Sequence, residues 1–148
     1  MNAILFMGLQ ASGKSTFYVQ RFFKTHIRLS MDMLKTRHRE QRLLTACIQA
    51  KQPVVIDNTN PTPADRQRYI EPLRLAKFRV IGYYFRSELD ACLARNQKRE
   101  PAAIVPEIGI KGTYRKLVLP QQNEGFDELF YVQMVNNGFE VSEWRDEV

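Results

Sequence analysis

The chain has 148 residues, of which 44% are hydrophobic and 26% are charged, and its formal net charge at pH 7 is +6. These proportions are those of an ordinary globular domain and exclude a disordered chain. A domain of this size buries about 68–70% of the surface that its unfolded chain exposes, so it needs no metal or disulfide to fold. The basic charge favours an anionic partner, although a solvated basic surface with no ligand explains it equally well.

The sequence predicts a cytoplasmic protein. The apolar residues 3–7 are too few for the core of a signal peptide, and they run directly into a glycine-rich loop. No stretch of the sequence approaches the ~20 apolar residues of a membrane span. Cys47 and Cys92 each lie in an apolar helical pattern, which favours two reduced core thiols over a disulfide.

Short apolar runs alternate with longer amphipathic segments along the chain, a pattern that predicts a parallel β-sheet covered by helices. Continuous apolar runs suit strands that are buried on both faces. The predicted strands are residues 3–7, 27–30, 53–57, 78–85 and 129–134. We therefore predict one α/β domain over residues 1–148, with three layers (α/β/α) and a mainly parallel five-stranded sheet.

Helices are predicted in the intervening segments: from about Gly13, around Leu44, after Thr62, after Ser87 and over residues 106–119. Thr62 and Ser87 are the predicted N-caps, because their hydroxyls can accept hydrogen bonds from the first free N–H groups of a helix. Beyond the last strand, residues 136–138 predict a turn, followed by Phe139, Val141 and Trp144 as packing residues.

The segment after the first strand matches the Walker A pattern G-x4-G-K-S in full. Its glycines let backbone N–H groups converge on a phosphate, and the following helix presents its free N–H groups to the same anion. Lys14 is predicted to reach the β- and γ-phosphates, and the Ser15 hydroxyl to contact Mg²⁺. The alternative is a glycine-rich turn that binds no ligand. The position of this segment between an apolar strand and an amphipathic helix disfavours that alternative. The predicted site for ATP, or another nucleoside triphosphate, comprises Gly8, Gln10, Ala11, Ser12, Gly13, Lys14, Ser15 and Thr16.

Two aspartates are predicted at the same edge of the sheet as the glycine loop. Asp32 follows the second strand and Asp57 ends the third, and ligands bind outside the carboxyl ends of parallel strands. Asp32 could accept the proton of an attacking hydroxyl, or could only cap the next helix. Asp57 lies near the usual place of a carboxylate that organises Mg²⁺ through water. Asn58, Thr59 and Asn60 could orient a substrate or the glycine loop, or could simply form a polar turn.

Two basic segments could contact phosphate groups. Arg95 and Arg99 share a face if their helix is continuous, and two guanidinium groups would stabilise charge on a transferring phosphoryl group. Cations near the C-terminus of a helix are also favourable without any ligand. Residues 35–42 could line an acceptor groove and follow a phosphodiester backbone, or form an exposed helix face with Glu40 within it.

Together these segments resemble the polynucleotide 5′-kinase family of P-loop phosphotransferases, typified by phage and eukaryotic end-healing enzymes. The resemblance rests on residues 8–16, Ser30-x-Asp32, residues 56–60 and the run from Arg95 to Arg99, and it covers about residues 3–106. It implies a P-loop kinase fold with an arginine-bearing lid over about residues 95–105. The Walker A segment is shared far more widely than the other elements.

The resemblance also implies an activity, the transfer of the γ-phosphoryl group of ATP to a 5′-hydroxyl end of DNA or RNA with Mg²⁺. Asp32 would be the general base, Lys14 and Ser15 would bind phosphates and metal, and Arg99, aided by Arg95, would act from the lid. Family members usually carry an arginine three residues after the base. Here that residue is Lys35, so either Lys35 or Arg37 would hold the acceptor phosphate, beside Asp57, Asn58 and Thr59.

Two other functions fit the same residues. A small-metabolite kinase, acting on a sugar, nucleoside or antibiotic, would share the P-loop, the aspartate and the lid. A nucleotide-switched factor that binds RNA or a protein would need only the P-loop.

Overall fold

The computed structural model describes residues 1–145 and shows one six-stranded sheet. The strands are β1 (Asn2–Met7), β2 (Ile27–Leu29), β3 (Val54–Ile56), β4 (Arg79–Phe85), β5 (Glu128–Val135) and β6 (Gly138–Glu143). The helices are α1 (Lys14–Arg21), α2 (Met31–Leu34), α3 (Arg37–Ala50), α4 (Pro63–Leu75), α5 (Leu89–Gln97) and α6 (Glu107–Lys116). The strand order is β2-β3-β1-β4-β5-β6, and only β6 runs antiparallel to its neighbour.

Helices cover both faces of the sheet. Alternate residues of β1 point to opposite faces and pack against different helices. Leu5 and Met7 pack in one buried cluster with residues from α3 and α4, such as Leu44 and Leu73. Phe6 packs on the other side against Phe17 of α1, with ring centroids 5.9 Å apart. The predicted α/β/α class is therefore confirmed, and all five predicted strands are present.

The prediction of five strands misses β6. Asn136 and Asn137 have φ angles of 49° and 64°, the left-handed conformation of a tight hairpin turn, and the chain returns along β5 as β6. Phe139 and Val141 of β6 are partly buried against a core cluster, as predicted for packing residues. The predicted turn is confirmed, and the strand that follows it depends on pairing with β5.

One of the two predicted helix caps is confirmed and the other is wrong. The Thr62 hydroxyl accepts a hydrogen bond from the backbone N–H of Asp65 at the start of α4. The N-cap of α5 is Glu88, not Ser87. The Ser87 hydroxyl instead accepts from the backbone N–H of Leu9, 3.0 Å away, so it supports the glycine loop.

Two further findings concern the cysteines and membranes. Cys47 and Cys92 are both free and buried, as predicted. Within residues 1–145, no helix combines the length and the hydropathy that crossing a membrane requires.

Candidate active site

A cavity of about 390 Å³ lies beyond the carboxyl ends of β1, β2 and β3. Its lining is polar or charged except for Ala11, Met31 and Pro61. The charged residues that line it are Lys14, Asp32, Arg37, Asp57, Asp65, Arg99 and Lys116. Residues predicted from four separate segments are thus brought to one cavity.

The glycine loop (residues 8–13) has a shape that only glycine accommodates at both ends. Gly8 has a φ of +145°, and a Cβ there would lie 2.9 Å from the carbonyl oxygen of Phe85. Gly13 has a φ of +100°, and a Cβ there would collide with the side chain of Met134. The backbone N–H of Gly8 donates to the Thr59 carbonyl 3.0 Å away, which ties the loop to the segment after β3.

The Lys14 ammonium group is held by the loop itself. Its Nζ donates to the carbonyl oxygens of Gly8, at 3.0 Å, and Leu9, at 2.6 Å. Burial lowers the pKa of Lys14 to about 8, although the nearby Asp57 carboxylate opposes that shift. A bound polyphosphate would place further negative charge beside the ammonium group and favour its charged form.

Ser15, Asp57 and Arg28 form a compact polar cluster beside Lys14. The Ser15 hydroxyl donates to Asp57 Oδ2, 3.0 Å away. Arg28 Nε donates to the same carboxylate oxygen at 2.7 Å, and an Nη of Arg28 donates to Ser15 Oγ at 3.0 Å. A hydroxyl and a carboxylate are oxygen donors of the kind that Mg²⁺ prefers, so Ser15 and Asp57 fit the metal expected with a nucleotide.

Asp32 lies in the first turn of α2, is exposed, and lines the cavity. The N-cap of α2 is Ser30, so Asp32 is not the helix cap that was the alternative interpretation. The start of this helix is fixed from β3, because Asn58 Oδ1 accepts from the backbone N–H of Met31 at 2.9 Å. Asn58 therefore positions the turn that carries Asp32.

Glu40 anchors Asn58 from the protein interior. Only 2% of Glu40 is exposed, which corrects its interpretation as part of an exposed helix face. One carboxylate oxygen accepts from Arg37 at 2.9 Å and from the Tyr69 hydroxyl at 2.8 Å, and the other accepts from Asn58 Nδ2 at 2.8 Å. Burial of so polar a group is tolerated because both of its oxygens are hydrogen-bonded.

The two arginines of the predicted lid are separated. Helix α5 ends at Gln97, so Arg95 and Arg99 do not share one helical face. Arg95 Nε donates to the Ala11 carbonyl at 2.7 Å and supports the glycine loop. Arg99 lines the cavity, and its Nη1 donates to the Ala103 carbonyl at 3.3 Å.

Other predicted residues also differ in their placement. Lys35 is the C-cap of α2 with a φ of 73°. It is exposed and does not line the cavity, because the chain turns there into α3. Arg37, two residues further along the chain, does line it. Gln10, Ala11, Asn58 and Thr59 line the cavity as well, whereas Thr16 is exposed outside it.

Arg28, Thr113 and Lys116 are among the residues of the cavity region that sequence reasoning did not predict. Arg28 looks like an ordinary exposed residue of an edge strand, and only the alternation of side chains along β2 indicates which face it shares. Thr113 and Lys116 reach the cavity because α6 packs next to the glycine loop, where Gln10 Nε2 donates to Thr113 Oγ1 at 3.1 Å. No local pattern in α6 predicts that packing.

The sheet order, the glycine loop between β1 and α1, and the polar cavity above it define a P-loop domain with a kinase-like fold. The chain belongs to a family of AAA domains (AAA_33), whose model matches residues 26–116. That match covers β2 to α6 and includes Asp32, Asp57 and Arg99.

Among curated proteins, the chain is similar to the "Bifunctional polynucleotide phosphatase/kinase" of Schizosaccharomyces pombe, with 25% identity over 132 residues. The alignment covers 83% of this chain, but the chain spans only 31% of that relative's length.

Two solved structures illustrate the shared fold. A sugar kinase from Janibacter sp. superposes with a TM-score of 0.67 at 15% identity, covering 88% of this chain and 85% of the other. Kti12 of Chaetomium thermophilum, crystallised with ADP-AlF3, gives a TM-score of 0.66 at 14% identity, covering 88% of both chains. At these identities the likeness establishes the fold and not the reaction.

Proposed function

We propose that the protein is an ATP-dependent kinase that transfers the γ-phosphoryl group to the 5′-hydroxyl end of a DNA or RNA strand. The main support is the arrangement of Lys14, Asp32 and Arg99 around one polar cavity. The similarity to a bifunctional polynucleotide phosphatase/kinase, which extends over 83% of the chain, points to the acceptor. We further propose that residues 1–148 act as one catalytic domain, with residues 95–105 as its lid.

In this proposal, catalysis consists of positioning and charge neutralisation. The glycine loop and the N-terminus of α1 hold the phosphates through backbone N–H groups, and Lys14 contacts the outer phosphates. Arg99 stabilises the charge on the transferring group from the lid. Asp32 accepts the proton of the attacking hydroxyl as the new oxygen–phosphorus bond forms.

Ser15 and Asp57 would hold Mg²⁺, Asp57 through a water molecule. When bound, Mg²⁺ neutralises the negative charge of the phosphate oxygens. Mg²⁺ is commonly bound by one or two carboxylates together with substrate phosphates, which matches the single carboxylate placed next to Ser15.

We assign the acceptor side of the cavity to the region around Arg37 and Lys116. Both line the cavity, and they come from α3 and α6, on different parts of the domain. The guanidinium of Arg37 is held by Glu40 and by the Tyr69 hydroxyl, which would orient it toward a backbone phosphate. Because Lys35 lies outside the cavity, Arg37 is the better candidate for this contact.

The experiment that tests this function offers the protein labelled ATP, Mg²⁺ and a panel of acceptors. The panel contains 5′-hydroxyl DNA and RNA oligomers, the same oligomers with a 5′-phosphate, and sugars and nucleosides. We expect label only on the 5′-hydroxyl oligomers, and acceptor binding that weakens as the salt concentration rises. Label on a sugar or nucleoside alone would identify a small-metabolite kinase, and ATP hydrolysis with no labelled acceptor would favour a nucleotide-switched factor.

A further inference from the structure

Arg28 occupies the place where the proposed function requires a metal ion. Its side chain extends from the edge strand β2 and contacts both oxygens of the Ser15–Asp57 pair, at 3.0 Å and 2.7 Å. Nothing in the phosphate-binding pattern of the sequence calls for an arginine at this position.

The arrangement has a clear electrostatic cause. The Asp57 side chain is only 2% exposed, and a buried carboxylate is costly unless a cation or several donors compensate its charge. Within residues 1–145, Arg28 is the one cationic side chain that forms an ion pair with Asp57. The guanidinium therefore acts as the counter-ion of Asp57 when no nucleotide is bound.

The hydrogen bonds among Ser15, Asp57 and Arg28 leave few free lone pairs on the two oxygens for a metal ion. The Ser15 hydroxyl has a single proton, which it donates to Asp57, and it accepts one of the Arg28 protons on its oxygen. Mg²⁺ binds oxygen ligands at about 2.0–2.1 Å in a strict octahedral arrangement. A guanidinium within hydrogen-bonding distance of the same two oxygens would repel the ion, compete with it for Ser15 Oγ, and compete with its water ligand for Asp57.

We infer that Arg28 is a resident cation that must withdraw before Mg²⁺ and nucleotide bind, and that it thereby weakens metal binding. The inference rests on the proposed function, because it requires nucleotide and Mg²⁺ at the P-loop. The Arg28 side chain is 26% exposed and belongs to an edge strand, so it has solvent to move into. Because linkage is reciprocal, the contact that opposes the metal also stabilises the metal-free protein.

The test compares the full chain with the variant Arg28→Gln. Arg79→Gln is the matched control. Arg79 forms a half-exposed ion pair with Glu128 at 3.2 Å. It lies at the start of β4, at the end of the strands that faces away from the cavity. Mn²⁺, a paramagnetic substitute for Mg²⁺, is titrated in the presence of ATP and followed by electron paramagnetic resonance. Thermal unfolding is recorded in parallel, in EDTA without nucleotide.

We expect Arg28→Gln to lower the Mn²⁺ concentration at half-saturation by about tenfold. In EDTA the same variant should unfold about 3–6 °C below the wild type, because Asp57 loses its counter-ion. Arg79→Gln should leave both quantities unchanged. Arg28→Lys keeps the charge but not the two hydrogen bonds of the guanidinium, and we expect it to lower the Mn²⁺ concentration at half-saturation by about threefold. This second variant tests the inference even if Arg28→Gln does not fold.

An unchanged or higher Mn²⁺ requirement in a folded Arg28 variant, with normal ATP binding, would overturn this inference and leave the proposed function standing. A wild-type protein that bound neither ATP nor Mn²⁺ would overturn both.

Discussion

The side chain of Lys14 illustrates a conflict between stability and binding at a single residue. The ammonium group is buried against backbone carbonyls, and its pKa falls from an ordinary 10.5 to about 8. Because the folded-state value is the lower one, the unfolded chain binds the proton more tightly. Burying the charged Lys14 therefore lowers the free energy of unfolding by its full amount below about pH 8, and this loss fades as the pH rises toward 10.5.

We expect Lys14→Met to stabilise the nucleotide-free protein while abolishing ATP binding. The gain in the free energy of unfolding should be about 2–3 kcal/mol at pH 7 and less than about 1 kcal/mol at pH 10, since the wild-type lysine is increasingly neutral there. Urea denaturation of both proteins at the two pH values measures this difference. A methionine variant that is less stable than the wild type at pH 7 would show that the lysine contacts outweigh the cost of burial.

Glu40 does not line the cavity with Asp32, the proposed general base, but helps to fix the turn that carries it. It holds Asn58, whose side chain accepts from the backbone of Met31 at the start of the turn that carries Asp32. In Glu40→Gln, an NH₂ group would replace one of the two oxygens that accept hydrogen bonds, and it would face a donor of Arg37 or Asn58. We expect a loss of about 1–3 kcal/mol in the free energy of unfolding.

The same variant should lower kcat more than it raises the KM for ATP, because Asp32 shifts while the glycine loop is intact. Steady-state kinetics and urea denaturation check the two effects. The matched control is Glu71→Gln on the exposed face of α4, which should change stability by less than about 0.5 kcal/mol. If Glu40→Gln and Glu71→Gln had the same kcat and the same stability, Glu40 would not position Asn58 and Asp32.

At the scale of elements, one buried amide links α5 to the segment after it, which carries Arg99 and which we propose as part of the lid. Asn96 is fully buried, and it donates to the Val105 carbonyl at 2.7 Å and accepts from the Val105 N–H at 3.0 Å. These bonds close the segment that contains Arg99 over residues 98–105. The Asn96 side chain thus helps to fix the segment that carries Arg99.

We expect Asn96→Ala to loosen this segment without unfolding the sheet. The amide hydrogens of residues 98–100 and 102–105 should exchange at least about tenfold faster, because the backbone groups of Val105 lose both partners. Hydrogen exchange followed by mass spectrometry measures this, with Gln97→Ala, an exposed neighbour, as the control. If these amide hydrogens exchanged at wild-type rates in Asn96→Ala, contacts other than the Asn96 amide would have to hold this segment.

At the scale of the whole molecule, the sequence predicted the parts of the fold that depend on local pattern. The apolar runs of β1, β3 and β4 indicate buried strands, and their ends indicate the edge of the sheet where Asp32 and Asp57 lie. Strand β6 could not be predicted in the same way, because its apolar residues are only half-buried and its extended form comes from pairing with β5.

The candidate site was predictable where residues follow a strand, and not where distant elements meet. The glycine loop and the two aspartates follow directly from their strands. Arg28 and Lys116 were missed because an arginine on an edge strand, or a lysine at the end of a helix, looks like ordinary surface. The prediction that Arg95 and Arg99 share one helical face is wrong because α5 ends at Gln97, and that end has no clear sequence signal.

The most direct test of the proposed reaction is single-turnover phosphorylation of a 5′-hydroxyl oligonucleotide by wild-type protein and by Asp32→Asn. We expect the variant to bind ATP with unchanged affinity and to transfer the phosphoryl group at least about a hundredfold more slowly, the usual contribution of a general base. Transfer by Asp32→Asn at the wild-type rate would contradict the assignment of Asp32 as the base.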